Sequence, residues 1–194
     1  NTGGMGAISP VPFADATLMK KIEDQIVIPT INGLKNDNIE YKGFVFIGLI
    51  KVGDNPFVIE YNVRMGDPET EVVIPRINSD LVALFQAVAT EKLADFELDI
   101  DERTAATVVI VSGGYPEEFQ KGIEILGLDS KSDSLIFHAG TKEENGKIVS
   151  NGGRVLAVTS FGNTFTAATK KSYQTIENIK FDKMNYRKDI GFDL

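Results

Sequence analysis

Two apolar runs separated by four turn-forming residues constrain this chain most. GFVFIGLIK (43–51) and PFVIEYNVR (56–64) are rich in β-branched and aromatic residues, and the connector VGDN carries strong turn signals. The pair predicts a β-hairpin, which commits this part of the chain to antiparallel pairing. Side chains alternate faces along a strand, so Glu60, Asn62 and Arg64 share one face and Ile59, Tyr61 and Val63 the other.

Helical and strand patterns surround this pair. Residues 1–12, NTGGMGAISPVP, are Gly/Pro-rich and read as loop. Leu18, Ile22, Ile26 and Val27 have helical spacing within 14–28. Pro29 ends or kinks that helix, and a second segment runs on toward Leu34. SDLVALFQAVATEKL (79–93) reads as an amphipathic helix with Ser79 as its N-cap. The charged stretch ADFELDIDER (94–103) is the predicted domain boundary, because the pattern then restarts. Strands are predicted over 104–116, 134–140, 147–150 and 154–162, and a helix over 163–179 with Asn163 at its N-cap. The class is α+β, or α/β in two lobes, with no internal repeat.

Composition limits the possible functions. A chain of 194 residues, 42% hydrophobic, makes one large domain or two small ones. It has no Cys, so disulfide and thiolate chemistry are excluded. A formal net charge of -8 argues against a broad nucleic-acid or anionic-membrane surface. No apolar run approaches the roughly 18 to 20 residues of a membrane span. No signal peptide pattern opens the sequence, and a cytoplasmic setting fits. The sequence opens inside a glycine-rich loop without an initiator Met, so a piece of a longer protein is expected.

The end of the second strand carries candidate chemistry. A carboxylate beside an amide oxygen gives two hard ligands that suit Mg²⁺, which takes few protein ligands and completes its shell with water and phosphates. Arg64 adds a charge able to grip a phosphoryl or carboxylate group. A solvated polar strand face with a surface ion pair has the same pattern. Only five of the 20 basic residues are Arg: 64, 76, 103, 154 and 187. Arg154, beside glycines in NGGRV (151–155), reads either as planar anion recognition or as a structural ion pair. His138, the only histidine, lies in an apolar run and reads as structural.

The stretch RMGDPETEV (64–72), directly after IEYN, resembles the signature of the phosphoribosylamine–glycine ligases. NTGGMGAISPVP, SGGYP (112–116), FHAGT (137–141), NGGRVLAVT (151–159) and YRKDIG (186–191) resemble further motifs of that family, in its order. Two departures are Met65, where the family usually has Phe or Leu, and Ile8, where it usually has Tyr.

The resemblance implies the second half of an ATP-grasp domain, residues 1–100, followed by a small mixed α/β C-terminal domain, residues 101–194. It implies a ligase of purine biosynthesis that joins glycine to 5-phosphoribosylamine through an acyl phosphate, with ATP as co-substrate. It assigns Glu60 and Asn62 to Mg²⁺ (or Mn²⁺), and Arg64 to the charge of the transferred phosphoryl group. Asp67 and Glu69 would hold an amine. Thr2, Gly3, Gly4 and Gly6 would contact substrate, and Arg154 the ribose phosphate. The partners implied are these small molecules and the N-terminal half of the same protein, with no nucleic acid and no membrane. Two alternatives stay open: another ATP-grasp carboxylate–amine ligase, and a non-catalytic scaffold that keeps the fold.

Overall fold

A computed structural model describes residues 2–194. Asn1, the first residue of the predicted loop, lies outside the described residues. Along the chain run β1 (Gly6–Ser9), α1 (Ala16–Ile22), a π-helical turn (Glu23–Val27), α2 (Ile28–Asn36), β2 (Phe46–Val52), β3 (Asn55–Asn62), α3 (Thr70–Val73) and α4 (Leu81–Ala89). They are followed by β4 (Thr104–Val111), β5 (Leu135–His138), β6 (Thr141–Glu144), β7 (Lys147–Ser150), β8 (Arg154–Gly162) and α5 (Phe165–Ile176). All strand pairs among the described residues are antiparallel, and the class is α+β, as expected. The chain forms two compact units and passes between them at 10/11, 66/67, 78/79 and 99/100. The last of these crossings falls in the charged stretch 94–103.

One unit holds Val11–Gly66 and Ser79–Asp99. Its hairpin pairs Phe46 with Asn62 and Val52 with Asn55, around a turn at Gly53 and Asp54. The predicted strand to Arg64 stops two residues earlier, at Asn62. Lys21 on α1 donates to Asp54 O at 2.6 Å and so ties the helix to the hairpin turn. Thr30 on α2 meets the Tyr61 hydroxyl at 2.9 Å. Pro29 does not stop the helix. Helical backbone runs on through it from the π-helical turn into α2, and that irregular turn, whose bonds skip to i→i+5, accommodates the N–H that proline lacks. The N-cap of α4 is Asp80, whose carboxylate accepts from Ala83 N at 2.8 Å. Ser79 instead accepts from Asp99 N at 2.8 Å, outside the helix.

The other unit holds the N-terminal residues through Pro10, Asp67–Asn78 and Ile100–Leu194. Its four-stranded sheet has the order β1-β4-β8-β5. β4 and β8 lie at the centre and are buried on both faces, which explains their nearly continuous apolar sequences. Val108, Ile110, Leu156 and Val158 pack with Ile176 and Ile179 on one face. Met5, Val109, Val111 and Ala157 form a cluster on the other. Alternation along β4 and β8 produces this division. Thr107 and Thr159 are paired across the two strands, and Thr159 donates to Glu71 O of α3 at 2.9 Å. The N-cap of α5 is Thr164, accepting from Ala167 N at 3.2 Å, one residue after the predicted Asn163. β6 was not predicted; it pairs with β7 around Asn145 and Gly146, both at positive φ, as a two-residue hairpin turn requires.

Candidate active site

The end of the hairpin carries the first group of predicted residues. Glu60 and Asn62 lie on one face of β3, and Asn62 Nδ2 donates to Glu60 Oε1 at 3.1 Å. This contact leaves Glu60 Oε2 and Asn62 Oδ1, two neighbouring hard oxygens, outside that hydrogen bond. Glu60 stands opposite Gly48, and the register slips between Gly48 and Leu49, so that Ile59 is bulged out of β3. A bulge re-aims the residues that follow it, and this one immediately precedes Glu60. A bare Gly48 also leaves room for Glu60, because a Cβ there would come within 3.0 Å of Glu60 Cγ. Arg64, beyond the strand, is exposed and donates from Nη1 to Met65 O at 3.0 Å.

A second group forms within the sheet-bearing unit, where three separated motifs meet at one guanidinium. Arg154, the first residue of β8, donates from Nη1 to Gly4 O at 3.3 Å and to Asp67 O at 3.0 Å. Its Nη2 donates to Asp67 Oδ2 at 3.0 Å, and Nη1 lies 2.9 Å from Asp67 Oδ1. A planar fork fits this bidentate task, and a single ammonium does not. The structure thus joins NTGGMG, GDPET and NGGR through Gly4, Asp67 and Arg154. Gly4 has φ +72, and a Cβ there would lie 3.2 Å from Arg154 Nη1, so both backbone and space call for glycine. Thr2 donates from its hydroxyl to Gly3 O at 3.0 Å, within the loop. Glu69 precedes α3, and its carbonyl accepts from Val72 and Val73 N.

Sequence reasoning missed Glu71. It follows Asp67 and Glu69 at the same two-residue spacing, and that run of acids was the available signal. Its Oε2 is buried with no hydrogen-bond partner among the described residues. Burial pushes the Glu71 carboxyl above its ordinary range; the Asp67 and Glu69 charges add to the rise, and Arg154 opposes it. His138 is exposed, and its Nδ1 lies 3.0 Å from the Thr141 hydroxyl.

Comparison with known proteins covers most of the chain. Residues 1–70 match the family model described as phosphoribosylglycinamide synthetase, ATP-grasp (A) domain. Residues 105–193 match phosphoribosylglycinamide synthetase, C domain. A phosphoribosylamine–glycine ligase of Clostridium acetobutylicum is 44% identical over 191 residues, which are 98% of this chain and 46% of that protein. A bifunctional purine biosynthetic protein of Pichia angusta is 45% identical over 195 residues, 98% of this chain and 25% of that one. The crystal structure of the Thermotoga maritima phosphoribosylamine–glycine ligase superposes with a TM-score of 0.82 at 37% identity, covering 97% of this chain and 46% of that chain. The chain therefore spans about half the length of the single-function ligases it matches.

Proposed function

This chain belongs to the phosphoribosylglycinamide synthetase family, and we propose that it is the later part of an ATP-dependent ligase of purine biosynthesis. The whole enzyme joins glycine to 5-phosphoribosylamine and yields glycinamide ribonucleotide, ADP and phosphate. Residues 1–100 are the C-terminal part of its ATP-grasp domain and 101–194 its C-terminal domain. The observation that carries this reading is the convergence of Gly4, Asp67 and Arg154, from three separate motifs, on one set of hydrogen bonds.

In this reaction the glycine carboxylate takes the γ-phosphoryl group of ATP and ADP leaves. The amine nitrogen of phosphoribosylamine then attacks the acyl carbon, phosphate leaves, and the nitrogen gives up a proton. The reactants are anions, so the chemistry asks for cations and N–H donors more than for a protein nucleophile. Arg64 is the cation assigned to the transferred phosphoryl group. Asp67 and Glu69 are assigned to an amine, and Thr2, Gly3, Gly4 and Gly6 to substrate contact by the loop. Arg154 holds the loop and the GDPET turn, and its Nε–H and second Nη2–H are the donors left for the ribose phosphate.

Glu60 and Asn62 fit a hard divalent cation, Mg²⁺ or Mn²⁺, as two adjacent oxygen donors. No group of three His, Cys, Asp or Glu with metal-binding spacing occurs among the described residues, so nucleotide phosphates and water are the remaining ligands in this reading. When bound, the ion neutralises phosphate charge.

The macromolecular partner is the N-terminal part of the same polypeptide. Ile59, 65% exposed, and Val63, 73% exposed, are apolar side chains on and just beyond β3 that such a part would cover. No helix among the described residues is long and apolar enough to cross a membrane; the compartment we assign is the cytoplasm, where ATP and the purine precursors meet.

The test is ADP release by the natural polypeptide that carries this sequence. Release should require both glycine and phosphoribosylamine. Equal rates with another amino acid in place of glycine would move the assignment to a different ATP-grasp ligase.

A further inference from the structure

The motif YRKDIG (186–191) has no part in the chemistry proposed above, yet it packs on the strand that continues the glycine-rich loop. Three clips hold this tail. Arg187 pairs with Asp189 in a two-bond fork, Nε to Oδ1 at 2.9 Å and Nη2 to Oδ2 at 3.0 Å. The Tyr173 hydroxyl of α5 donates to Arg187 O at 2.9 Å and accepts from Ile190 N at 3.2 Å. Gly191, at φ +82, completes the turn.

The side chain so placed rests on β1. A Cβ built on Gly6 would lie 2.5 Å from Ile190 Cδ1 and 2.9 Å from Ile190 Cγ1, nearer than side chains ever approach. Two residues on, Ile8 lies on the same face, and its Cδ1 would be 3.0 Å from a Cβ on Gly191. β1 has only four residues and is an edge strand, hydrogen-bonded to β4 alone. A strand this short gains little from one ladder, and its height above the neighbouring layers is set by what packs on its face. Directly before it, Met5 O accepts from Val109 N at 3.0 Å, and Gly4 O meets Arg154. Any displacement of Gly6 therefore reaches the loop backbone within two residues.

We propose that the 186–191 tail is a positioning element for the glycine-rich loop, and that Ile190, seated on the bare face of Gly6, fixes where the loop backbone stands. Ile190 touches no reacting group; it acts through Gly6 and Gly4. The proposal rests on the reading that this loop meets substrate. A misplacement of about 1 Å far from the chemistry is enough to cost on the order of a hundredfold in kcat/KM, so a smaller settling of a loop that meets substrate is visible in KM.

The test uses the natural polypeptide with Ile190→Val, Ile190→Ala, Gly6→Ala and the double variant Gly6→Ala/Ile190→Ala. Ile136→Val, a change in the same core on β5, is the control for stability loss alone. Ile190→Ala should raise KM for at least one substrate by roughly tenfold with kcat within about twofold, and Ile190→Val should do so by less. Gly6→Ala should be severely impaired, and the double variant should be better than Gly6→Ala, a non-additive cycle. An unchanged KM in Ile190→Ala, or additive effects in the cycle, overturns the proposal. If the polypeptide proves not to use glycine and phosphoribosylamine, that reading fails separately. Hydrogen exchange at the Val109 amide then decides the present proposal: faster exchange in Ile190→Ala but not in Ile136→Val supports it, and equal exchange overturns it.

Discussion

Arg154 and Glu71 show how much a few side chains add to what the motifs imply. Arg154→Ala removes the fork that holds the loop and the GDPET turn, and leaves the Asp67 carboxylate without its cation. Charge-assisted bonds of this kind are worth about 1.5–3 kcal/mol each when shielded, and less when half-exposed, so a loss of about 1–2 kcal/mol in urea unfolding is expected. Arg154→Lys should recover only part of it, because an ammonium cannot make both bonds in one plane. Glu71 has the opposite effect. Its carboxyl is raised by burial, so the folded state holds the proton at pH values where the unfolded chain has released it. Such a group stabilises fully below its unfolded pKa, and that contribution is lost as pH rises through the folded pKa. Glu71→Gln should therefore raise the melting temperature at neutral pH, with the gain shrinking as pH falls toward the ordinary carboxylate range. A variant less stable than the parent at pH 7 would mean that the charged form has a partner. Asp67 and Arg154 stand in long motifs that single them out in the sequence, but only the structure shows that they pair. Glu71 was not legible, because only the sheet beneath α3 shows that its carboxyl is covered.

Strand and helix identities were more legible than their ends. The hairpin, α4, β4, β8 and α5 all lie within segments that periodicity marks out. Both N-caps moved by one residue, since Ser-Asp and Asn-Thr each offer two cap-forming side chains in a row, and only backbone geometry chooses between them. This gives a sharp contrast within α5. Thr164→Ala should cost about 1 kcal/mol on the unfolding transition of the sheet-bearing unit. Asn163→Ala, one residue outside the cap, should stay within about 0.5 kcal/mol of the parent. Equal losses would mean that the cap is shared. The bulge at Ile59 was illegible for a different reason. It depends on pairing between β2 and β3, not on the composition of either, and yet it turns the face that carries Glu60 and Asn62. The four-residue β6 was missed because the acidic stretch TKEENG carries no apolar alternation and pairs only through its Asn-Gly turn.

In the reading proposed above the chain supplies arginines and loop N–H groups for anions and two oxygen ligands for a cation, but it covers 46% of the ligase it superposes on. Two oxygen donors hold a divalent ion weakly when the phosphates that complete its shell are not themselves gripped by protein. The 194-residue chain should therefore bind ATP with Mg²⁺ on the order of millimolar or weaker in calorimetry, and should release no ADP with glycine and phosphoribosylamine. Supplying the N-terminal part, as the natural polypeptide or as a chimera with the Clostridium acetobutylicum ligase, should restore turnover. In that restored enzyme Glu60→Ala should lower kcat on the order of a hundredfold or more, the size expected when charge stabilisation of the transferred group is lost. It should do so without shifting the melting temperature, because Glu60 is exposed and, among the described residues, its side chain is hydrogen-bonded to Asn62 alone. Turnover by the 194-residue chain itself, from a preparation free of any longer enzyme, would mean that the residues described here suffice to grip the nucleotide. The search for its site would then begin at the hairpin end, where Glu60, Asn62 and Arg64 stand.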